Sequence, residues 1–489
     1  MEPHLPELCL FNSLTRAVEP FRPVHEGEAR VYSCGPTVYN YPHLGNMRAY
    51  VFTDTLGRTL SHFGYRLSHV INITDVGHLT SDADAGEDKM EKAAAAAAQS
   101  IWDIAKHYTQ AYFTDIDALN IRQPAKWSIA TDHIAEMLAF AEKIAPDHCY
   151  ELDSGLYFDV STVPDYGRLA RADTNEGEGR IESVEGKRHQ ADFAIWRKSP
   201  QGEQRQMEWD SPWGKGAPGW HLECSVMAMK YLGEQFDIHT GGIDHREIHH
   251  PNEIAQNQAF TCSGHTGANI WMHNNFLVDR REGRASGKMS KSSGEFLRVP
   301  LLSQKGYHPL AYRLLCLQAH YRSELEFSWE GLGAALTRLK RMLMAARKVA
   351  DLVEGAHEPR EEAITHPKLV PLEEAFDKAM ADDLNTPVAL TVLEETLAIK
   401  KVPAEQKLSL LHLMDAVLGL KLFELERADL RIRPDSAHIA EDEIAARIAE
   451  REQARATRDY ATSDRIRDEL AAKGVELMDG DPLGWEWRL

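Results

Sequence analysis

His249 and Glu253 stand four residues apart, and a helix over Ile248 to Gln256 puts both side chains on one face, the spacing of paired ligands for a cation. Pro251 fits the first turn of such a helix. Cys34 and Cys224 have no partner close by in sequence. A lone cysteine is more often a small buried hydrophobe than a ligand, so only the fold can bring the two thiols to the His249–Glu253 pair. If it does, two sulfurs, an imidazole and a carboxylate make a set suited to Zn²⁺. The carboxylate sets it apart from the closed Cys/His sites of structural zinc, and a substrate thiol could join as a further ligand.

Two short segments suggest phosphate chemistry. Pro42-His43-Leu44-Gly45-Asn46 sits where a helix begins, and a helix N-terminus offers free backbone donors and a partial positive end to phosphate oxygens. Gly45 lets a nucleotide approach closely. Read alone, a loop followed by a helix cap is the commoner meaning of these residues. Far downstream, Lys288 and Lys291 lie three apart on a loop with Ser286-Gly287 before and Ser292-Ser293-Gly294 after. Such lysines can swing over a triphosphate and stabilise charge on the α-phosphate and the departing pyrophosphate; the bland alternative is an exposed basic loop. A thiophilic metal beside an ATP site points to an enzyme that activates a sulfur-containing substrate.

The elements that must position these residues are legible in part. Ala29 to Ser33 predicts a short buried strand, Gly35-Pro36 a turn, Leu44 to His62 a helix and Tyr65 to Ile73 a second strand, together a β-α-β unit of a parallel nucleotide-binding sheet. Ligands gather at the carboxyl ends of such strands, where Cys34 falls. The alanine run 93–98 predicts a helix reaching about Leu119. Glu151 to about Trp209 reads as a small β-rich insertion, and Asp237-Ile238-His239 as a strand returning to the sheet just before the His249–Glu253 segment. Beyond Gly306 the pattern is mostly helical: Pro309 to Ala319, Trp329 to Leu352, Leu372 to Ala381, Pro387 to Lys400 and Ala404 to Leu418. A polar linker at Arg433-Pro434 leads to a helix or helix pair over Ile444 to Lys473 and a terminal hairpin within Val475 to Arg488.

The 489 residues are too many for a single core, and 43% hydrophobic with 27% charged residues is the composition of a soluble globular protein. No stretch approaches the ~20 apolar residues of a membrane helix. The start, Met1-Glu2-Pro3-His4, opens no secretory signal, and six uneven cysteines make no disulfide framework, so a reducing cytoplasm is expected. A formal charge of −20 argues against a large nucleic-acid footprint taken alone. Local clusters argue the other way: Arg338, Lys340, Arg341, Arg347 and Lys348, then Arg451, Arg455, Arg458, Arg465 and Arg467. A solvated helix face explains either cluster equally well.

Taken together, these residues resemble the cysteinyl-tRNA synthetases, a family of class I aminoacyl-tRNA synthetases. The resemblance rests on Cys34-Gly35-Pro36-Thr37-Val38-Tyr39 before His43, Gly219-Trp220-His221-Leu222-Glu223-Cys224, His249-His250 through Gln256, and Gly287 to Ser292, in family order over essentially the whole chain. It implies an α/β Rossmann-type catalytic domain with a β-rich insertion, followed by an α-helical tRNA-binding region and a small mixed C-terminal domain. The divisions would be 1–120, first half of the catalytic domain; 121–215, connective insertion; 216–305, second half with the ligand segment and the KMSKS loop; 306–430, helical stem-contact and bundle region; and 431–489, anticodon-binding domain.

The resemblance further implies Cys34, Cys224, His249 and Glu253 as ligands of one Zn²⁺ per chain, and His43, Asn46, Lys288 and Lys291 as the catalytic groups, with Mg²⁺ accompanying ATP. Asp244 and Lys291 would contact ATP, Thr74 and Trp220 would line the cysteine pocket, and Arg455, Asp464 and Asp479 would face the anticodon of tRNA(Cys). A monomer acting on ATP, L-cysteine and tRNA is expected. Two departures stand out: Asn46 where the family commonly has His, and Glu247-Ile248 where it commonly has Phe-Pro. An amide can still donate to phosphate, so a tuned site is expected. An enzyme joining cysteine to an amino sugar would share the zinc and ATP motifs but needs no anticodon reader, and the long helical tail favours tRNA. A non-catalytic tRNA-binding relative is the other alternative, against which Lys288, Lys291 and the four ligand residues weigh.

Overall fold

The computed structural model describes residues 5–76, 100–170, 184–200, 202, 205–279, 297–353, 363–478 and 480–489, and 287–288 by their backbone. A short hairpin, β1 (Cys9–Asn12) with β2 (Ala17–Pro20), opens the chain. The first buried strand, β3 (Glu28–Ser33), is followed by helix α1 (Leu44–His62) and strand β4 (Arg66–Ile73), the β-α-β unit expected from the sequence. Helix α2 (Ile101–Ala118) starts at a Ser100 cap; the alanine run 93–98 lies outside the described residues. Next come β5 (Lys126–Ile129) and α3 (Ile134–His148).

A separate antiparallel sheet of β6 (Cys149–Leu152), β7 (Gly155–Phe158), β8 (Phe193–Lys198) and β9 (Gly216–Pro218) forms the β-rich insertion. The chain then re-enters the main body through α4 (Trp220–Leu232), β10 (Phe236–Gly242), α5 (His249–Thr261) and β11 (Ala268–Asn274).

The central sheet runs β11-β10-β3-β4-β5 and every pairing in it is parallel. The neighbours of β3 are β4, which follows it, and β10, which arrives some two hundred residues later. The strand order therefore reverses at the β3/β10 boundary, the crevice where open α/β sheets bind ligands. Two features depart from the bounds expected for the insertion. Residues 126–129 join the central sheet, and the insertion sheet continues to Pro218. Both strands are only three or four residues long, too short for an alternating pattern to announce them.

Downstream, β12 (Leu277–Asp279) lies between β13 (Gly287–Lys288) and β14 (Leu325–Phe327) in a three-stranded sheet. Helices α6 (Val299–Gln304), α7 (Pro309–Leu317), α8 (Trp329–Ala350), α9 (Val370–Ala381), α10 (Thr386–Ala398) and α11 (Ala404–Leu418) make up the helical region. One apolar core runs from Leu10 and Leu44 through Leu314 and Leu339 to Leu418, so the helical region shares its interior with one face of the catalytic sheet. A second core fills the space between the sheet's other face and the insertion, around Trp196, Trp213 and Trp271. The end of the chain, α12 (Glu441–Ala456), α13 (Tyr460–Ala472), β15 (Val475–Leu477) and β16 (Trp485–Trp487), closes on its own small core of Ile444, Ile466, Leu470, Trp485 and Trp487. The break in the predicted helix pair falls at Arg458, in left-handed conformation at φ 63°.

Of the basic cluster on α8, Arg338 pairs with Glu394, Lys340 with Glu486 and Arg347 with Glu426. That cluster is largely committed to intramolecular pairing. Among the described residues no helix is long and apolar enough to cross a membrane.

Candidate functional site

A cleft of about 350 Å³ opens at the β3/β10 boundary, lined among others by Cys34, His43, Asn46, Trp220, Asp244 and Phe276. The segment after β3 is laid tightly over the end of β4: a Cβ on Gly35 would stand 1.6 Å from the Asn72 carbonyl oxygen, so only glycine fits, and its N–H donates to Asn72 Oδ1 at 2.8 Å. That close approach fixes Cys34 at the cleft wall.

Cys34, Cys224, His249 and Glu253 converge, with one ligand atom from each lying within 4.8 Å of the others. Cys224 comes from the second turn of α4 and His249 and Glu253 from the first turns of α5; all three are buried, whereas Cys34 is half-exposed toward the cleft. His249 Nε2 lies 3.4 Å from Cys224 Sγ and 2.9 Å from Glu253 Oε1. Glu253 Oε1 is nevertheless a buried oxygen with no hydrogen-bond donor aimed at it. Lone-pair atoms gathered in this way, with one carboxylate oxygen unsatisfied, are what a cation site requires, and the donor set suits Zn²⁺. A second combination, Cys34, His239, His250 and Glu253, meets the same distance criterion.

Without an ion, the His249 imidazole and the Glu253 carboxylate hold each other as an ion pair. Burial opposes ionisation of Glu253, but the adjoining His239 and His249 outweigh it and hold the carboxyl down at about 2. Burial likewise opposes charge on His249, and Glu253 overrides it, lifting the imidazole to about 10. Burial would raise the Cys34 thiol; the neighbouring Cys224 thiol, His245 and His250 instead bring it well below its ordinary value. Cys224 is pushed up by that same contact with Cys34 and by burial.

An outer ring holds the ligands. His221 Nδ1 is 2.8 Å from His249 Nδ1, and His239 Nε2 is 2.8 Å from Glu253 Oε2. Gly241 makes room for the ring: a Cβ there would stand 2.7 Å from the His250 imidazole. None of these histidines stands out in sequence, because a buried, hydrogen-bonded histidine is the ordinary fate of the residue; the density of histidine over 239–250 is the one signal that could have found them.

His43 is the N-cap of α1 and Asn46 its third helical residue, joined in a reciprocal box: the Asn46 N–H donates to His43 Nδ1 at 3.2 Å and the His43 N–H to Asn46 Oδ1 at 3.1 Å. Asn46 thus uses its carbonyl oxygen to cap the helix and keeps its amide NH₂ available at a cleft-lining position. The Trp220 ring lies 4.2 Å, centroid to centroid, from His249. The Thr74 hydroxyl donates to Glu223 Oε2 at 3.0 Å and accepts from Asn72 Nδ2 at 3.0 Å, and Thr74 is buried behind the segment that lines the cleft.

Lys288 contributes backbone to β13, which pairs with β12 beside the cleft-lining Leu277. Lys291 and Asp479 lie outside the described residues. Arg455 occupies the last turn of α12, and Asp464 on α13 is paired with Arg467 at 3.0 Å. They belong to the C-terminal helix pair and not to the cleft.

A family profile described as tRNA synthetases class I (C) catalytic domain matches residues 20–337. The chain is similar to the cysteine–tRNA ligase of Novosphingobium aromaticivorans, 71% identical with 99% of this chain and 97% of that protein covered. It is also similar to that of Zymomonas mobilis, 56% identical with 100% and 99% covered. Among solved structures, Mycobacterium tuberculosis methionyl-tRNA synthetase bound by methionyl-adenylate aligns with a TM-score of 0.51 at 14% identity, over 80% of this chain and 90% of that one, a likeness of fold.

Proposed function

The chain belongs to the cysteine–tRNA ligase family of class I aminoacyl-tRNA synthetases, and we propose that it activates L-cysteine with ATP and transfers it to the 3′-terminal adenosine of tRNA(Cys). The observation that carries this reading is the convergence of Cys34, Cys224, His249 and Glu253 beside the cleft that also receives His43 and Asn46. These four residues would hold one Zn²⁺. Bound there, the ion would supply a soft acceptor that favours a thiolate over a hydroxyl, where a pocket reading shape alone separates such near-isosteres by roughly 10² at best.

The chain's own groups have distinct tasks. Trp220, packed on His249, closes one wall of the amino-acid pocket, and Thr74 is held behind it by Glu223 and Asn72. His43 and the Asn46 amide, at the positive end of α1, orient the triphosphate so that the cysteine carboxylate oxygen attacks the α-phosphorus in line. A P–O bond to pyrophosphate breaks as the mixed anhydride forms. Lys288 and Lys291 stabilise the charge passing to pyrophosphate, Asp244 lies against the adenosine, and Mg²⁺ accompanies ATP. In the second step the ribose hydroxyl of the terminal adenosine attacks the acyl carbon and AMP leaves.

We read residues 1–305 as the catalytic body, its insertion now bounded by the separate sheet at 149–218 instead of 121–215, 306–430 as the stem-contacting helices and 431–489 as the anticodon reader through Arg455, Asp464 and Asp479, in a monomeric cytoplasmic enzyme. The test is cysteine-dependent exchange of pyrophosphate into ATP, followed by charging of tRNA(Cys). Absence of exchange by folded, zinc-loaded protein would refute the assignment; exchange without charging would leave cysteine activation standing and remove tRNA as the acceptor.

A further inference from the structure

The cleft has a second lobe that the groups assigned to ATP and cysteine leave unused. It measures about 320 Å³, within the ~300–1,000 Å³ of small-molecule sites, and adjoins the first lobe, with Trp220, Asp244 and Phe276 common to both. His249 forms part of its wall, so the lobe also borders the candidate thiol site. Arg246, Glu247 and Glu324 line this lobe and not the first. Glu247 is one of the two residues that stand where the family commonly has Phe-Pro. Its carboxylate is held in place by Arg246, whose Nε–H donates to Oε1 at 2.7 Å while a second guanidinium N–H shares the same oxygen. The loop that carries the pair is fixed by the His245 N–H on the Gly242 carbonyl and the His250 N–H on the His245 carbonyl, each at 2.9 Å.

We propose that this second lobe receives the 3′-terminal nucleoside of the tRNA, with Glu247 and Glu324 accepting from its ribose hydroxyls and Trp220 and Phe276 offering faces to its base. The argument is one of charge and chemistry. The first lobe contains the N-terminus of α1 with His43 and Asn46, whose partial positive charge draws phosphate. In the second, the carboxylates of Asp244, Glu247 and Glu324 outnumber the Arg246 guanidinium. Such a wall repels phosphate and suits hydroxyl donors, while aromatic faces suit a nucleobase. A 3′-terminal nucleoside is the one unit of a nucleic acid with a free ribose diol, and its single phosphate, on the 5′ side, can stay outside. The shared wall answers a need of the second step: the attacking hydroxyl must reach an acyl group held beside His249 while the nucleotide of the adenylate still fills the first lobe. Two adenosines thus approach one carbonyl from two sides of Trp220 and Phe276. The inference rests on the proposed function for the identity of the acceptor.

The test uses the full-length chain and tRNA(Cys) ending in 8-azidoadenosine, irradiated in the complex and mapped by peptide sequencing. Cross-links should fall within 246–248 or at Glu324, which line only the second lobe. In single-turnover transfer from preformed cysteinyl-adenylate, Glu247→Gln and Glu324→Gln should each slow acyl transfer about 10-fold more than they slow adenylate formation, the loss of one hydrogen bond to a charged group. Glu324 is exposed, so its variant tests the lobe even if Glu247→Gln disturbs the loop. Cross-links confined to 37–46 or to Tyr108 and Tyr112, in the first lobe, would overturn the proposal, as would variants that slow both steps equally. A parent that forms adenylate but neither cross-links nor charges tRNA(Cys) would remove tRNA as the acceptor and the lobe's occupant with it, whereas cross-links that form elsewhere refute the lobe alone.

Discussion

Asp54→Asn probes the charge knot that ties the cleft-lining helix α1 to the helical region. The Asp54 carboxylate, 1% exposed, accepts from Arg58 Nε and from Arg313 at 2.7 Å each, and from the Arg122 N–H at 3.0 Å. Arg313 is fully buried, and its other donors go to carbonyls: Leu418 at 2.8 Å, Leu119 and Asn120 at 3.1 Å. Asparagine preserves the shape, removes the charge and turns one oxygen into an NH₂ that faces a guanidinium. Two charge-assisted hydrogen bonds at ~1.5–3 kcal/mol each give about 3–6 kcal/mol, which brackets the ~3–5 kcal/mol of stranding one member of a buried pair. Against a total stability of ~5–15 kcal/mol this is a large share. Calorimetry should find the transition lowered by roughly 6 °C or more if the cooperative unit is ~150–250 residues. Because long chains often unfold irreversibly, the unfolding rate at one fixed temperature should rise in parallel. Burial opposes ionisation of Asp54, yet Arg313 and Arg58 outweigh it and lower its pKa. A lowered folded-state pKa means the stabilisation is complete above the unfolded carboxyl value and fades as pH falls through the folded value, so the gap between parent and variant should be constant at neutral pH and shrink only in acid. A variant that melts within about 2 °C of the parent, by the same scale, would refute this reckoning.

Three further outcomes are expected. Cys224→Ser, or chelation of the parent, should lower zinc content and abolish cysteine-dependent exchange while ATP binding persists; stoichiometric zinc in the variant, by elemental analysis, would show the ligand set to be wrong. Burial raises the Asp115 carboxyl to about 7 with only Arg298 opposing, and a raised folded-state pKa gives stability that is full below the unfolded value and lost as pH rises through about 7. Asp115→Asn should therefore be more stable than the parent at pH ~8 by about 2–4 kcal/mol and equal to it near pH ~4, measured by denaturation across that range. Arg427 joins Asp481 at 2.9 Å and Glu486 at 2.5 Å, all three largely buried, so Arg427→Met should loosen the C-terminal unit. Faster hydrogen exchange confined to 439–489 and a raised KM for tRNA, with pyrophosphate exchange unchanged, would register it; an unaltered exchange map would count against that role.

The elements legible in the sequence were those with strong local punctuation. Ser328 and Pro309 mark the starts of α8 and α7, and the buried run of β4 and the box at His43 and Asn46 define the first β-α-β unit. Strands β1, β2, β5 and β9 escaped notice because three or four residues carry no period, and β5 finds its partner β4 only across the whole of α2. The shared interior of α1 and the helices after Gly306 was hidden for a similar reason. Apolar periodicity marks which face of a helix is buried, but not against what, and it was Arg58 and Arg313 meeting on Asp54 that joined the two halves.

The candidate metal site divides along the same line. The i, i+4 spacing of His249 and Glu253 is local and was readable; Cys34 and Cys224 enter because the residue after β3 and the second turn of α4 come together beside the strand-order reversal, a property of topology. The outer histidines are harder still, since nothing in their type separates His250 the donor from His250 the ligand. The distances do not separate them either: His250 Nε2 lies 3.4 Å from Cys34 Sγ and 3.9 Å from Glu253 Oε1, compatible with both roles. The hydrogen bonds that run on from His250 through His273 to Ser13 are satisfied in either direction, because a serine hydroxyl both donates and accepts. What favours the set with Cys224 is that its thiol reaches the same point as Cys34, His249 and Glu253, a meeting of three separate chain segments that no spacing rule in the sequence could have drawn.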